Sequence, residues 1–235
     1  MYSIQSRVRY SEVDRSRDMT FLALMNYFQD CCAIQSEDIG RGVDYLMEHE
    51  IAWVLSSWQI VMVRPPRFGE QITVNTWPYD FKGLYGYRNF SLENEQGEIL
   101  AYANSVWVFV DTKLNRPAKI PKTVSEAYHL EEKYPMEYAD RKIALPKEME
   151  AKKSFAVQPE QIDTNHHVNN ERYVAMAQNF LGENVRILKM RAEYKKAAVL
   201  GDTIFPFVHK DGKIVTVSLA DEQAVPYAIV EFVLE

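Results

Sequence analysis

Nine residues, Ile162-Asp163-Thr164-Asn165-His166-His167-Val168-Asn169-Asn170, carry one carboxylate, two imidazoles and three carboxamides. Those groups can transfer protons, donate hydrogen bonds to a substrate, or ligate a metal. The residues that follow read as a helix over 171–181. Tyr173, Met176, Ala177 and Phe180 recur at i, i+3, i+4 and i+7, one apolar face. Asn169 or Asn170 can serve as N-cap, and Glu171 suits the first turn. The polar cluster is therefore expected at a helix N-terminus, where free N–H groups and the dipole stabilise a developing negative charge.

Each polar residue has a plainer reading. Zinc centres use three or four ligands at characteristic spacings, and no third His or Cys lies near His166 and His167 in sequence. No metal or cofactor is expected. His167 could be a core histidine, but the neighbouring Asp and Asn favour a site. His166, the alternate residue, is expected to point away, and Asn169 and Asn170 are expected as cap and turn residues.

The elements that must position this cluster follow from periodicity. Residues 2–9 alternate as a strand, and Asp14 to Asp18 is a charged turn. A strongly apolar helix runs from Thr20 through Phe21, Leu24, Met25, Phe28 and Cys32, capped by Thr20 or Asp18 and ended by Gly40 and Gly42. Phe21 and Phe28 could line a tunnel, although core packing is their default. Residues 43–48 form a short amphipathic piece. Strands are expected over 52–63, 71–81, 84–93 and 99–111, the last two joined by Asn94-Glu95-Gln96-Gly97. Prolines and charges dominate 112–150, a connection with one short helix near 124–131. A strand over 152–157, the polar cluster and its helix come next. Strands over 185–196, 203–210, 213–220 and 224–234 complete the chain, with Asp211-Gly212 as a hairpin turn. A helix followed by an antiparallel ladder indicates α+β.

The pattern occurs twice. Asp14-Arg15-Ser16-Arg17-Asp18 aligns with Asp163-Thr164-Asn165-His166-His167, and Phe68-Gly69-Glu70-Gln71-Ile72 with Leu200-Gly201-Asp202-Thr203-Ile204. The first copy keeps the acid but has Ser16 and Asp18 where the second has Asn165 and His167. One copy reads as functional and the other as structural.

The 235 residues suffice for one large domain or two small ones, and 47% hydrophobic with 26% charged residues is ordinary globular composition. A net charge of −6 argues against general nucleic-acid binding. No apolar run approaches the ~18 residues of a membrane span. Met1-Tyr2-Ser3-Ile4-Gln5 leads into a strand pattern instead of a basic secretory leader. Cys31 and Cys32 are adjacent and make no disulfide framework, so a reducing cytoplasm is the expected location.

The chain resembles the acyl-ACP thioesterases of plants and bacteria. The motif from Asp163 to Tyr173 is similar to the family's Asp-x-Asn-x-His, Val-Asn-Asn and tyrosine-bearing helix. Ala52-Trp53-Val54-Leu55, Thr76-Trp77-Pro78 and Phe81-Lys82-Gly83 resemble landmarks of the family's first domain. The resemblance implies two tandem hotdog domains, each an antiparallel sheet wrapped around a long helix. Residues 1–122 would be the non-catalytic copy, 123–150 the connection and 151–235 the catalytic copy. It implies Asp163, Asn165 and His167 as catalytic residues, with hydrolysis of fatty acyl-ACP thioesters as the reaction. The implied partner is an acyl carrier protein bearing a fatty acyl chain, with no nucleic acid or membrane; a homodimer is compatible with it. One departure stands out. The family usually has a Glu, followed in plant members by Cys, where this chain has Ala197-Ala198 after Glu193-Tyr194-Lys195-Lys196. Either Asp163 takes the role of activating water or another carboxylate reaches in. An acyl-CoA thioesterase and a non-catalytic acyl-binding protein are the alternatives. Carrier docking would use a local basic patch: Arg64 with Arg67, the group Lys113, Arg116, Lys119 and Lys122, or Lys195 with Lys196.

Overall fold

The computed structural model describes residues 1–163, 165–182 and 185–235. The chain divides into two units, residues 1–56 with 60–138, and residues 57–59 with 139–235.

In the first unit, β1 (Tyr2–Arg7) and a single 3-10 turn (Tyr10–Glu12) precede α1 (Phe21–Asp38) and α2 (Val43–Glu48). Then come β2 (Ile51–Met62), β3 (Gln71–Lys82), β4 (Tyr85–Asn94), β5 (Ile99–Asp111), the short β6 (Arg116–Pro117) and α3 (Lys122–Ser125). The strand order is β1-β3-β4-β5-β2. The pairs β1–β3, β3–β4 and β4–β5 are antiparallel. Thr20, not Asp18, caps α1: its hydroxyl accepts the Ala23 N–H at 3.2 Å. Leu24, Met25, Phe28 and Cys31 are buried on one face of the helix, which lies against β3 and β1. Leu24, Met25 and Phe28 each contribute about 1.5–3 kcal/mol on burial. Phe28 packs on Phe90 with centroids 5.1 Å apart, so it belongs to the core. The helix stops where Gly40 takes φ +66°, a left-handed conformation that costs glycine little.

The short helix of the connection is Lys122–Ser125, earlier than its pattern suggests, because Pro121 fixes the entry. Beyond it the chain is held by side chains. The Tyr134 N–H and the Tyr138 hydroxyl both donate to Asn89 Oδ1, at 3.1 and 2.9 Å.

The second unit contains β7 (Glu150–Ala151), β8 (Phe155–Ala156), a 3-10 turn (Pro159–Gln161), α4 (Asn170–Gln178), β9 (Ile187–Tyr194), β10 (Thr203–Asp211), β11 (Ile214–Ala220) and β12 (Pro226–Leu234). The order is β9-β12-β11-β10-β7, and β8 also pairs with β10. Of the strand expected over 152–157 only β8 forms; β7 lies just before that span, and both pair with β10. Pro206 supplies the reason: its carbonyl accepts the Lys152 N–H at 2.8 Å, but it has no N–H to give back. Gly212, at φ +56°, makes the expected hairpin between β10 and β11. α4 packs on β11 and β12 through Tyr173, Val174, Met176 and Ala177. Its last turn tightens to i→i−3 bonds at Phe180 and Leu181, leaving nine helical residues against eighteen in α1. No helix among the described residues is long and apolar enough to cross a membrane.

Candidate functional site

Ile162 and Val168 pair across an isolated bridge, and the chain between them folds into a tight corner. The Asp163 N–H donates to the His167 carbonyl at 2.8 Å, and the His166 N–H to the Asp163 carbonyl at 3.0 Å. One carboxylate oxygen of Asp163, Oδ1, accepts the N–H of Asn165 at 2.8 Å and of His167 at 3.3 Å. His166 lies at φ +61°, a conformation that side chains other than glycine rarely adopt. The corner is tied at its far end: the Val168 N–H donates to the Ala198 carbonyl and the Asn169 N–H to the Gln161 carbonyl, both at 2.9 Å. Asn169 is the cap of α4, its Oδ1 accepting the Glu171 N–H at 3.1 Å. Asn165, His166 and His167 are exposed and Asp163 is half-buried. Asp163, Asn165 and His167 therefore share one turn at the head of α4. Thr164 lies outside the described residues. Among those residues no group of three or more His, Cys, Asp or Glu is arranged to hold a metal ion.

Two supporting residues escaped the sequence reading. Tyr173, read there as part of an apolar face, is buried, and its hydroxyl accepts the Ala198 N–H at 2.7 Å. Burial pushes its pKa up to about 12, so it stays a neutral phenol at working pH. Ala198 thus links α4 to the corner through its own two backbone groups. Glu171, read only as a first-turn acid, is 5% exposed and lies 3.3 Å from Arg172 Nε. The pattern contained a signal for Glu171: it precedes the buried Val174 by three residues on the same helix face.

The first unit contains the same corner. The Asp14 N–H donates to the Asp18 carbonyl at 2.9 Å and the Arg17 N–H to the Asp14 carbonyl at 3.0 Å. Asp14 Oδ1 accepts the N–H of Ser16 at 2.7 Å and of Asp18 at 3.2 Å. Arg17 has φ +66°, Val13 bridges Met19, and the Met19 N–H donates to the Pro66 carbonyl at 2.8 Å. Five backbone features coincide, so the alignment of the two copies holds at the level of individual hydrogen bonds. The acid at the start of each corner has a structural duty that needs no catalysis. Asp14→Ala is expected to lower Tm by about 2–4 °C, the shift for about 1 kcal/mol in a chain of this size, with kcat unchanged. Selective loss of turnover at an unchanged Tm would place chemistry in the first copy.

The first unit also has an open cavity of about 190 Å³. Cys32, Leu46, Trp53, Phe81, Trp107 and Tyr128 give it apolar walls, and Arg88 reaches it from β4. Phe21 and Phe28 are not among its lining residues; a neighbouring stripe of α1 is.

Comparison with known proteins identifies the architecture. The family model for the acyl-ACP thioesterase N-terminal domain matches residues 1–128, and that for the acyl-ACP thioesterase C-terminal domain matches residues 145–223. The chain belongs to the acyl-ACP thioesterase family. It is 29% identical over 182 residues to the chloroplastic palmitoyl-acyl carrier protein thioesterase of Cuphea hookeriana, covering 71% of this chain and 43% of that protein. It is 28% identical to the chloroplastic acyl-[acyl-carrier-protein] hydrolase FATB2 of Cuphea viscosissima, covering 71% and 44%. The chain spans less than half the length of these curated relatives. Among solved structures, an acyl-ACP thioesterase from Bacteroides thetaiotaomicron superposes with a TM-score of 0.90 at 23% identity, over 99% of this chain and 97% of that one. The 12:0-ACP thioesterase of Umbellularia californica superposes at 0.86 with 19% identity, over 100% and 96%. The fold is the family's α+β double hotdog.

In this acyl-ACP thioesterase family member, Ala198 is fully buried and Ala197 is exposed. The position that usually carries the family's Glu therefore has room for one. The nearby buried Glu193 is engaged elsewhere, accepting the Ile143 N–H at 2.9 Å. Most of the basic side chains singled out for carrier docking are paired. Arg64 is held by Glu70, Arg67 by Asp18, Lys113 by Glu50, Lys195 by Glu193 and Lys196 by Asp221. Arg116, Lys119 and Lys122 are exposed and form no ion pair among the described residues.

Proposed function

We propose that this chain hydrolyses the thioester of fatty acyl-ACP, releasing free fatty acid and the carrier's thiol. The observation that supports this most is one corner that gathers Asp163, Asn165 and His167 at a helix N-terminus, in a chain whose two halves match the family's two domains. Water attacks the thioester carbonyl, its oxygen bonds to the acyl carbon, the C–S bond breaks, and the departing thiolate takes the proton that the water gives up. Asn165 donates to the oxyanion, aided by the positive end of the α4 dipole. His167 orients Asn165 or the substrate, and Asp163 positions the water with the oxygen that does not hold the turn. An apolar slot between a sheet and the helix it wraps takes the acyl chain. Residues 1–122 then form the non-catalytic copy, 123–150 the connection, and 151–235 the catalytic copy. Two free thiols, Cys31 and Cys32, suit a reducing cytoplasm. A homodimer is compatible with this reading.

The direct experiment is thiol release from matched acyl-ACP and acyl-CoA substrates. Turnover of acyl-ACP above acyl-CoA is expected; equal turnover of both favours an acyl-CoA thioesterase. Ala197 favours a second reading, acyl binding without hydrolysis, and binding with no thiol release would establish it. Docking of an acidic carrier should use Arg116, Lys119 and Lys122. For acyl-ACP, kcat/KM is expected to fall as salt rises, because exposed charges are screened within about 10 Å at 0.1 M. A flat salt series for acyl-ACP would remove electrostatic docking.

A further inference from the structure

The two copies differ in what lies beneath their corners. In the second unit the Tyr173 hydroxyl accepts the Ala198 N–H at 2.7 Å, and the Ala198 carbonyl accepts the Val168 N–H at 2.9 Å. The aligned bond of the first unit runs from the Met19 N–H to the Pro66 carbonyl at 2.8 Å. Two further pairs fix the alignment. The Val157 N–H donates to the Asp202 carbonyl as the Val8 N–H does to the Glu70 carbonyl. The Tyr227 carbonyl accepts the Lys195 and Lys196 N–H groups as the Leu100 carbonyl accepts those of Val63 and Arg64. Leu24 stands ten residues after Asp14, and Tyr173 ten after Asp163. Pro66 therefore matches Ala198, Leu24 matches Tyr173, and Leu100 matches Tyr227. Asp202 accepts the Tyr227 hydroxyl at 3.1 Å and the Val199 N–H at 3.0 Å, whereas the matching Glu70 is held by Arg64.

The first copy completes its corner without either hydroxyl. Pro66 has no N–H to satisfy, and Leu24 and Leu100 fill the places of the two tyrosines. Its backbone bonds are the same all the same. A corner of this shape thus does not require a tyrosine beneath it. The second copy presents an N–H at the fully buried Ala198 and meets it with a phenol that is 1% exposed. Such a pair adds little net stability over an apolar pair of the same shape. It adds direction, because a hydrogen bond fixes distance and angle where leucine packing does not. The bonds run from α4 through Ala198 to Val168, the residue that closes the corner carrying Asp163, Asn165 and His167.

We propose that Tyr173 is a positioning residue for that corner. Its hydroxyl sets the segment 197–198 against α4, and the segment sets Asp163, Asn165 and His167 relative to the head of their own helix. Tyr227 steadies the same segment from its other end, through Asp202. The inference rests on the hydrolase reading for what the corner does, and not for how it is held. Misplacing reacting groups by about 1 Å costs on the order of 10²-fold in rate, so a copy that performs chemistry needs this bond and a copy that only folds does not.

Tyr173→Phe removes one oxygen and strands the Ala198 N–H. For acyl-ACP, kcat is expected to fall about tenfold or more with KM within about twofold, and Tm to drop by about 2–10 °C. Amide exchange at Asp163 and Val168, followed by NMR, should speed up at least about tenfold, with Asp14 and Met19 of the first unit as unchanged controls. Tyr173→Phe combined with Ala198→Pro copies the first unit, since proline has no N–H to strand. Its Tm should recover while kcat stays low and exchange at the corner stays fast. Recovery of kcat together with Tm overturns the proposal, because the hydroxyl would then only satisfy an N–H. Wild-type kcat in folded Tyr173→Phe overturns it too, as does wild-type exchange. If the single variant does not fold, the double variant decides by the same two readings. Wild type that releases no thiol from acyl-ACP sinks the hydrolase reading, and exchange at Asp163 and Val168 then decides on Tyr173 alone.

Discussion

Asn165→Ala and His167→Ala are each expected to lower kcat by about 10²-fold or more while the protein stays folded. The scale is that of removing one positioned donor to an oxyanion or one group that orients it. Folding should survive because both side chains are exposed and the corner is built from backbone N–H groups and the Asp163 carboxylate. The matching positions of the first unit hold Ser16 and Asp18, and that corner keeps the same hydrogen bonds. The fold therefore places no demand for Asn or His there. Thiol-release kinetics with a thermal melt on each variant decides the matter, and full activity in both well-folded proteins would remove the site assignment.

Asp163→Asn is expected to abolish hydrolysis, with a loss of about 10²–10⁴-fold, and to leave acyl binding intact. The amide oxygen of Asn can still accept the N–H groups of Asn165 and His167, so the turn is retained and only the charge is lost. This separates two duties that Asp163 combines. Asp14→Asn is the matched control, since Asp14 holds an equivalent turn in the first unit. Wild-type kcat in Asp163→Asn would reduce Asp163 to a turn residue and turn attention to Glu171, the buried carboxylate in the first turn of α4. Ala197→Glu complements the test. Its position is exposed, so a carboxylate fits there without repacking, and a raised rate would show that the family's usual acid can be rebuilt.

What could be read from residues alone was what depends on local order. The apolar spacing of α1, the alternation of β3 and the Asp211-Gly212 hairpin all lie within a few residues of their causes. The doubling of the chain and the nine-residue cluster were legible for the same reason, because each is a contiguous string. Where long-range partners decide, the pattern was silent. The strand over 152–157 is cut to β8 because Pro206, some fifty residues later, faces it without an N–H. Tyr173 looked like one more core residue until its hydroxyl met the Ala198 N–H across 25 positions. Arg88 gave no signal in a strand of alternating residues. Its place comes from the tertiary structure, which buries it beside the cavity and pairs it with Gln35 and Thr76. Sequence by itself determined which residues could do chemistry and that the chain carries them at a helix head in one of two copies. Tertiary structure alone decided which polar groups are occupied, because hydrogen-bond partners and burial are set by residues distant in the chain.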